Sequence, residues 1–326
     1  MQGGDAPKIL VPYPGPQSDG STQDVFIYLR PETNGVAFES QVLGVVSHNP
    51  SYKRDFKLIY LANIPGSYIV NQHIIEQHYA IRLFFAVHGK DAFTDYMMEE
   101  FERFCGCTLH GAPLIGSFAA LKKLDMDPDE LFNTWVEKQD VLMVNGQIIK
   151  RIGDYYVVNY DIPALLKKNT RETDIAVMMF RTSATYATFR GLVHEMRARL
   201  VERELINPEV HVSRYLHYSK GPFEQVLDGT GYLLRPDREH VKLEDLSFVQ
   251  YLDKKGYPLS YVSGLLNRPI IRVRRPDGNL QECNLMEYTS GLSYEAALNA
   301  VRQIESQVLL PRHFSMDDST SRFKRI

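Results

Sequence analysis

Two segments of the chain share one order of strand, helix and strand, and this order limits the fold more than any other feature. In the first segment, apolar runs predict strands at Asp24–Arg30 and Phe56–Ala62, with a short helix between them. In the second, a strand at Asp174–Phe180 precedes a long helix at Tyr186–Leu205 and a strand at Val210–Tyr218. A helix between two strands is typical of a crossover connection. The sequence therefore predicts an α+β fold with layered mixed sheets, built from two strand–helix–strand units and additional β-hairpins.

The long helix of the second segment shows the clearest periodicity in the chain. Its apolar side chains recur at helical spacing and form one stripe: Phe189, Leu192, Val193, Met196, Leu200 and Val201. Such a stripe predicts a helix that packs one face on a core. Whether the two segments are related copies stays open, because their residues show no convincing repeat.

Alternating apolar residues next to turn residues predict two β-hairpins. One pairs Gly146–Ile152 with Tyr155–Tyr160, and the other pairs Ile270–Arg274 with Leu280–Leu285. The short apolar run Ala80–Val87 predicts a further strand.

The two ends of the chain differ in composition from the middle. Residues 1–23 are rich in Pro and Gly, and predict a mobile leader without regular structure. Residues 311–326 mix Ser, Asp, Lys and Arg with few apolar residues, and predict a mobile tail. The remaining length suits two compact domains. We place these at residues 24–168 and 169–310, each with an α+β architecture.

Charge and cysteine content narrow the class of protein. The net charge of −3 and the pI of about 6.4 lack the basic excess with which nucleic-acid binders neutralise phosphates. The three cysteines cannot all pair with one another, and Cys105 and Cys107 are too close in sequence for an ordinary disulfide. This usage favours a reducing compartment. The apolar runs are also shorter than the about 20 residues that cross a bilayer. The sequence thus predicts a cytoplasmic protein that does not bind membranes, and it disfavours nucleic acid as a partner.

One cluster combines residue types that bind zinc: Cys105, Cys107 and His110. Thiolate and imidazole are good zinc ligands, and Gly106 allows a tight turn around an ion. Structural zinc sites close with four ligands, whereas only three are local here. Two buried thiols at the end of a helix are therefore the alternative interpretation, and no other cofactor is predicted.

A glycine-rich stretch supplies the second candidate site. Gly229, Thr230 and Gly231 are interpreted as a loop whose exposed amides could cradle an anion. Nearby basic residues could complete a phosphate-binding pocket, namely Lys220, Arg235 and Arg238. An ordinary turn is the competing interpretation.

Three functions follow from these patterns, and whether the chain is an enzyme stays open. The favoured one is a non-catalytic binding or regulatory protein that acts through a protein partner or self-association, since no convergent set of catalytic residues is visible. The alternative is a phosphate- or nucleotide-handling enzyme or binding module that uses the Gly229–Gly231 stretch. A third is DNA binding through Asp127–Tyr160, where a helix with a clear N-terminal cap precedes a hairpin that carries Lys150 and Arg151.

Overall fold

The computed structural model describes residues 6–108, 111–210, 212–275 and 277–311. Its β-strands are β1 (Lys8–Val11), β2 (Gln23–Leu29), β3 (Phe56–Ile64), β4 (Leu114–Gly116), β5 (Val141–Val144), β6 (Gln147–Ile152), β7 (Tyr155–Val158), β8 (Ile175–Thr182), β9 (Leu216–Tyr218), β10 (Ile270–Arg274), β11 (Leu280–Asn284) and β12 (Ile304–Gln307).

The α-helices are α1 (Val36–His48), α2 (Pro50–Asp55), α3 (Gly66–Asn71), α4 (Ile74–His78), α5 (Ala80–His88), α6 (Asp95–Cys105), α7 (Ser117–Leu124), α8 (Pro128–Asn133), α9 (Ile162–Lys168), α10 (Tyr186–Glu202), α11 (Pro222–Tyr232), α12 (Ser247–Lys254), α13 (Leu259–Asn267), α14 (Leu285–Tyr288) and α15 (Tyr294–Val301). In the described part of the chain, none of these helices has the length and apolar composition that a membrane crossing requires.

The chain forms two compact units. The first comprises residues 1–74, 169–263 and 289–302, and the second comprises residues 75–168, 264–288 and 303–326. The sequence prediction places consecutive domains at 24–168 and 169–310, while each compact unit collects segments from both ranges.

A five-stranded sheet forms the centre of the first unit. Its strand order is β1-β3-β8-β2-β9, and every neighbouring pair is antiparallel. Because β8 is antiparallel to both β2 and β3, these two strands run in the same direction, and α1 lies in the connection between them. The predicted α+β fold with two strand–helix–strand units is confirmed. The two strand–helix–strand units interlock in this one sheet, since β8 of the later strand–helix–strand unit lies between β2 and β3 of the earlier one.

Helices α1, α2 and α10 pack against one face of this sheet. The predicted apolar stripe of α10, apart from the half-buried Val201, is buried there, together with alternate residues of β2 and β8 such as Val25, Ile27 and Met178. The alternation follows from the period of two along a strand. Burial of this stripe, rather than the intrinsic propensity of the helix, is the main source of its stability.

A buried ion pair lies inside the first unit. Asp24 on β2 faces Arg181 on β8, and the guanidinium donates two hydrogen bonds of 2.7 and 3.0 Å to the carboxylate. The Ser247 hydroxyl also donates to this carboxylate, and the Tyr294 hydroxyl accepts a hydrogen bond from the Asp24 N–H. Several donors therefore compensate the charge of a carboxylate that is almost fully buried.

The same ion pair fixes part of the chain before β2. Arg181 donates to the Gly15 carbonyl at 2.9 Å, and the Gln17 N–H donates to the Ser247 hydroxyl at 2.9 Å. Strand β1 pairs with β3. The prediction that residues 1–23 lack regular structure is therefore wrong for β1, because β3, Arg181 and Ser247, which order this stretch, all lie far away in the sequence. The predicted tail at 311–326 lies outside the described residues beyond Pro311.

The second unit contains two sheets. One has the order β4-β7-β6-β5, with β4 and β7 parallel and the other pairs antiparallel, and the second has the order β11-β10-β12. Both predicted hairpins are confirmed, as β6–β7 and β10–β11. The helix start predicted at Asp127 is also confirmed, since Asp127 and Glu130 form a reciprocal capping box.

The strand predicted at Ala80–Val87 is wrong, because this segment forms α5. Ala80, Leu83 and Phe84 are buried and follow helical spacing. A short apolar run fits a buried helix as well as a buried strand, and here the good helix formers Ala and Leu decide the outcome.

The ion pair generates a prediction about stability. We expect Asp24→Ala to lower the free energy of unfolding by about 3–5 kcal/mol, because the Arg181 charge stays buried without its partner. Urea unfolding monitored by circular dichroism measures this change. Asp55→Ala is the matched control, since Asp55 binds Arg54 at the same 2.7 Å on the surface and such pairs contribute little. Equal losses in the two variants would contradict the prediction.

Candidate functional site

The predicted glycine loop is not a loop. Gly229, Thr230 and Gly231 lie in the last turn of α11, where the Leu233 N–H donates to the Gly229 carbonyl. A Cβ atom on Gly229 would lie 2.8 Å from Leu246 Cδ2. Close packing of Leu246 therefore accounts for this glycine, and helical geometry removes the exposed amides that an anion cradle needs.

The three basic residues of the same prediction lie in different surroundings. Arg235 donates to the Asp245 carboxylate at 2.7 Å, whereas Lys220 and Arg238 have exposed side chains. Binding of phosphate by these residues stays a prediction, now without the backbone cradle that motivated it.

The predicted zinc ligands are placed in part. Cys105 and Cys107 form a disulfide with each other at the end of α6, so the expectation that they are too close to pair is wrong. The intervening Gly106 has a φ of 66° and turns the chain at that point. His110 lies outside the described residues. Disulfide sulfur cannot ligate as thiolate, so the zinc prediction applies to the reduced chain only and stays a prediction.

An exposed sheet edge in the second unit is the first feature that the sequence analysis missed. Strand β5 is an edge strand, joined to β6 by the two-residue turn Asn145-Gly146. Both turn residues have positive φ, 48° and 77°, as a type I′ hairpin turn requires. Edge strands usually carry charged residues that block pairing with other chains, but β5 reads Val-Leu-Met-Val.

The backbone of β5 offers hydrogen-bonding groups at this edge. The N–H and C=O of Ile148 both bond to Asn159, on the side of β7. Ile148 is the register partner of Met143. Since the backbone groups of Ile148 bond towards β7, Met143 and Ile148 form a non-hydrogen-bonded pair of the antiparallel ladder. The N–H and C=O of Met143 therefore point away from β6, to the open edge.

Apolar side chains flank the same edge. Leu142 and Val144 pack into the core of the second unit, so Val141 and Met143 lie on the opposite face of the sheet. Met143 is 64% exposed, and Trp135, the only tryptophan, is 79% exposed. The Lys150 ammonium donates to the carbonyl of Thr134, the residue before Trp135, and Lys150 is the register partner of Val141. The residue before Trp135 is therefore tied to the strand that pairs with β5, and we call Trp135, Val141 and Met143 the edge surface.

Of the two basic residues on which the DNA-binding alternative rests, one is buried. Lys150 is buried, and its ammonium lies 4.2 Å from the centre of the Tyr160 ring. Burial also lowers the pKa of Lys150. Arg151 is exposed but lies 4.0 Å from the Asp140 carboxylate.

A buried group of titratable side chains in the first unit is the second missed feature. His217 Nε2 on β9 lies 3.8 Å from Glu224 Oε1 and 3.5 Å from Asp228 Oδ1, both on α11. The imidazole stacks on the Tyr28 ring with 4.4 Å between ring centres. Glu224 and Asp228 are four residues apart on one helix face, which is the only sequence signal of this group, and it does not reveal the histidine.

Burial sets the protonation of this group. It lowers the pKa of His217 from 6.5 to about 3, so the imidazole is neutral near pH 7. It also raises the pKa of Glu224. The Glu224 carboxylate accepts a hydrogen bond of 2.6 Å from the Lys220 N–H. Imidazole and carboxylate are metal-ligand types, and His217 and Glu224 lie near each other. The His217 side chain is only 9% exposed, so its protonation affects the stability of the fold.

No protein-family model, curated protein or solved structure matches this chain.

The buried histidine generates a prediction about pH. Its folded pKa is below its unfolded value, so the unfolded chain binds a proton that the folded chain does not bind, and stability falls as pH falls below about 6.5. Between about pH 7.5 and 5, protonation of His217 in the unfolded chain should lower the free energy of unfolding by about 2 kcal/mol. Urea unfolding at both pH values measures it.

His217→Gln should lose less stability than the parent chain over this pH range. His48→Gln, which changes an exposed histidine, should retain the parent's pH dependence. If His217→Gln and the parent lose equal stability, the buried histidine does not control it.

Proposed function

We propose that this protein is a non-catalytic binding or regulatory protein that acts through protein–protein contacts made by the edge surface. The proposal rests on a fully apolar edge strand, together with Trp135, the most exposed aromatic side chain of the described residues, which follows a residue hydrogen-bonded to the neighbouring strand β6. The partner contributes an extended segment that pairs with β5 and covers the Trp135 ring.

Physical arguments support this mode of binding. Addition of a strand to an open edge uses main-chain hydrogen bonds for affinity and side chains on alternate positions for specificity. The outward N–H and C=O of Met143 provide such bonds. Tryptophan at the centre of an interface often contributes 2 kcal/mol or more, roughly, when a partner desolvates it. The open edge of β5 and the exposed Trp135 ring therefore both support binding of a polypeptide segment at this surface.

The alternative of a phosphate- or nucleotide-handling module has less support, because its glycines are helical and Arg235 is already paired with Asp245.

Site-specific crosslinking tests the proposal. We replace Met143 with the photoreactive residue p-benzoylphenylalanine, irradiate the chain in its own cells, and identify crosslinked peptides by mass spectrometry. We expect crosslinks to one defined partner segment, or to β5 of a second copy. Val36, which is 81% exposed in the first unit, is the control position. Absence of a defined partner at Met143, or the same crosslinks from Val36, would overturn the proposal.

Variants of the edge surface test the energetics. Met143→Lys places a charge on the edge strand, and Trp135→Ala removes the aromatic ring. Each variant should lower the affinity for the partner identified by crosslinking at least about tenfold. Val36→Lys should leave the affinity unchanged. Affinity is measured by titration of the identified segment, or by sedimentation velocity for a second copy. Thermal unfolding checks that each variant remains folded, as expected for exposed positions.

A further inference from the structure

A small cavity lies in the second unit, where the start of β10 meets the chain after β12. Its volume is about 240 Å³, and it is lined by Ile81, Arg268, Pro269, Ile270 and the segment Val308–Pro311. Every lining residue except Arg268 is apolar. Ligand pockets in proteins typically have this character, an apolar wall with a few polar groups that orient the ligand.

Hydrogen bonds hold the walls of the cavity in place. The Val308 N–H donates to the Ile270 carbonyl at 2.8 Å, and the Leu285 N–H donates to the Pro269 carbonyl at 2.7 Å. The Gln307 side chain donates to the Arg268 carbonyl at 3.1 Å. Binding therefore requires little ordering of the backbone, which lowers its entropic cost.

Arg268 supplies the only charge of the lining. Its side chain is exposed, and no carboxylate in the described part of the chain forms an ion pair with its guanidinium. A guanidinium binds carboxylates through two parallel N–H donors. The Arg268 guanidinium therefore favours a ligand with a carboxylate, while the apolar lining favours a hydrocarbon group.

We propose that this cavity binds a small amphipathic monocarboxylate, with an alkyl chain of about six to eight carbons against the apolar walls and the carboxylate on Arg268. The size follows from the volume, since 240 Å³ accommodates about eight groups of the roughly 30 Å³ that a water-sized group occupies in a liquid. The site is separate from the edge surface, and neither proposal depends on the other.

Isothermal titration of the full chain with octanoate, butanoate and octanol tests the proposal. Octanoate should bind, and butanoate should bind about two hundredfold more weakly, because it lacks four methylene groups and each buried methylene group is worth about fourfold in affinity. Octanol has the alkyl chain without the charge, and should bind at least about tenfold more weakly than octanoate.

Two variants separate the charge from the cavity. Arg268→Gln should weaken octanoate about tenfold and leave octanol unchanged. Leu309→Glu, at a position 72% exposed on the rim, should also weaken octanoate by repulsion without unfolding the chain. Arg275→Gln, which changes an exposed arginine bonded to Gln281, is the matched control and should have no effect. Absence of octanoate binding, or equal affinity for octanol and octanoate, would overturn the proposal.

Discussion

The position of β8 between β2 and β3 is the constraint on which the first unit depends. Strand β8 makes the longest ladders in the sheet, with seven partners in β2 and eight in β3. Strands β2 and β3 run in the same direction and do not touch, so their crossover through α1 is stable only when β8 fills the gap. Removal of β8 would leave two unpaired edges in the middle of the unit.

The pairing of β8 with β2 also explains how two opposite charges are accommodated inside the first unit. Asp24 and Arg181 are register partners on β2 and β8, so the sheet itself brings the two charges together. His217 on β9 takes a different course: it stays neutral, because burial costs more than the nearby carboxylates return. One charge is compensated and the other avoided, which are the two ways in which a low-dielectric interior tolerates a titratable group.

The two binding surfaces that we propose lie in the second unit. The edge surface has apolar side chains and outward backbone groups, while the cavity at Arg268 has apolar walls and one charge without an ion-pair partner among the described residues. The first suits a polypeptide and the second a small acid. Hydrogen bonds fix the backbone next to both surfaces, through Ile148 and Asn159 beside β5 and through Val308 and Ile270 at the cavity, so rigid elements present them.

The sequence by itself determined the local structure of the chain. The apolar period of α10, the capping box at Asp127 and the turns of two hairpins depend on residues a few positions apart, so they can be recognised without knowledge of the fold. Only the tertiary structure decided which strands are neighbours, that Gly229–Gly231 is helical against Leu246, that β1 pairs with β3, and that His217 meets Glu224 and Asp228. The reason is physical: these outcomes depend on the burial of residues far apart in sequence, and such packing overrides the weak local preference of glycine, proline or a short apolar run.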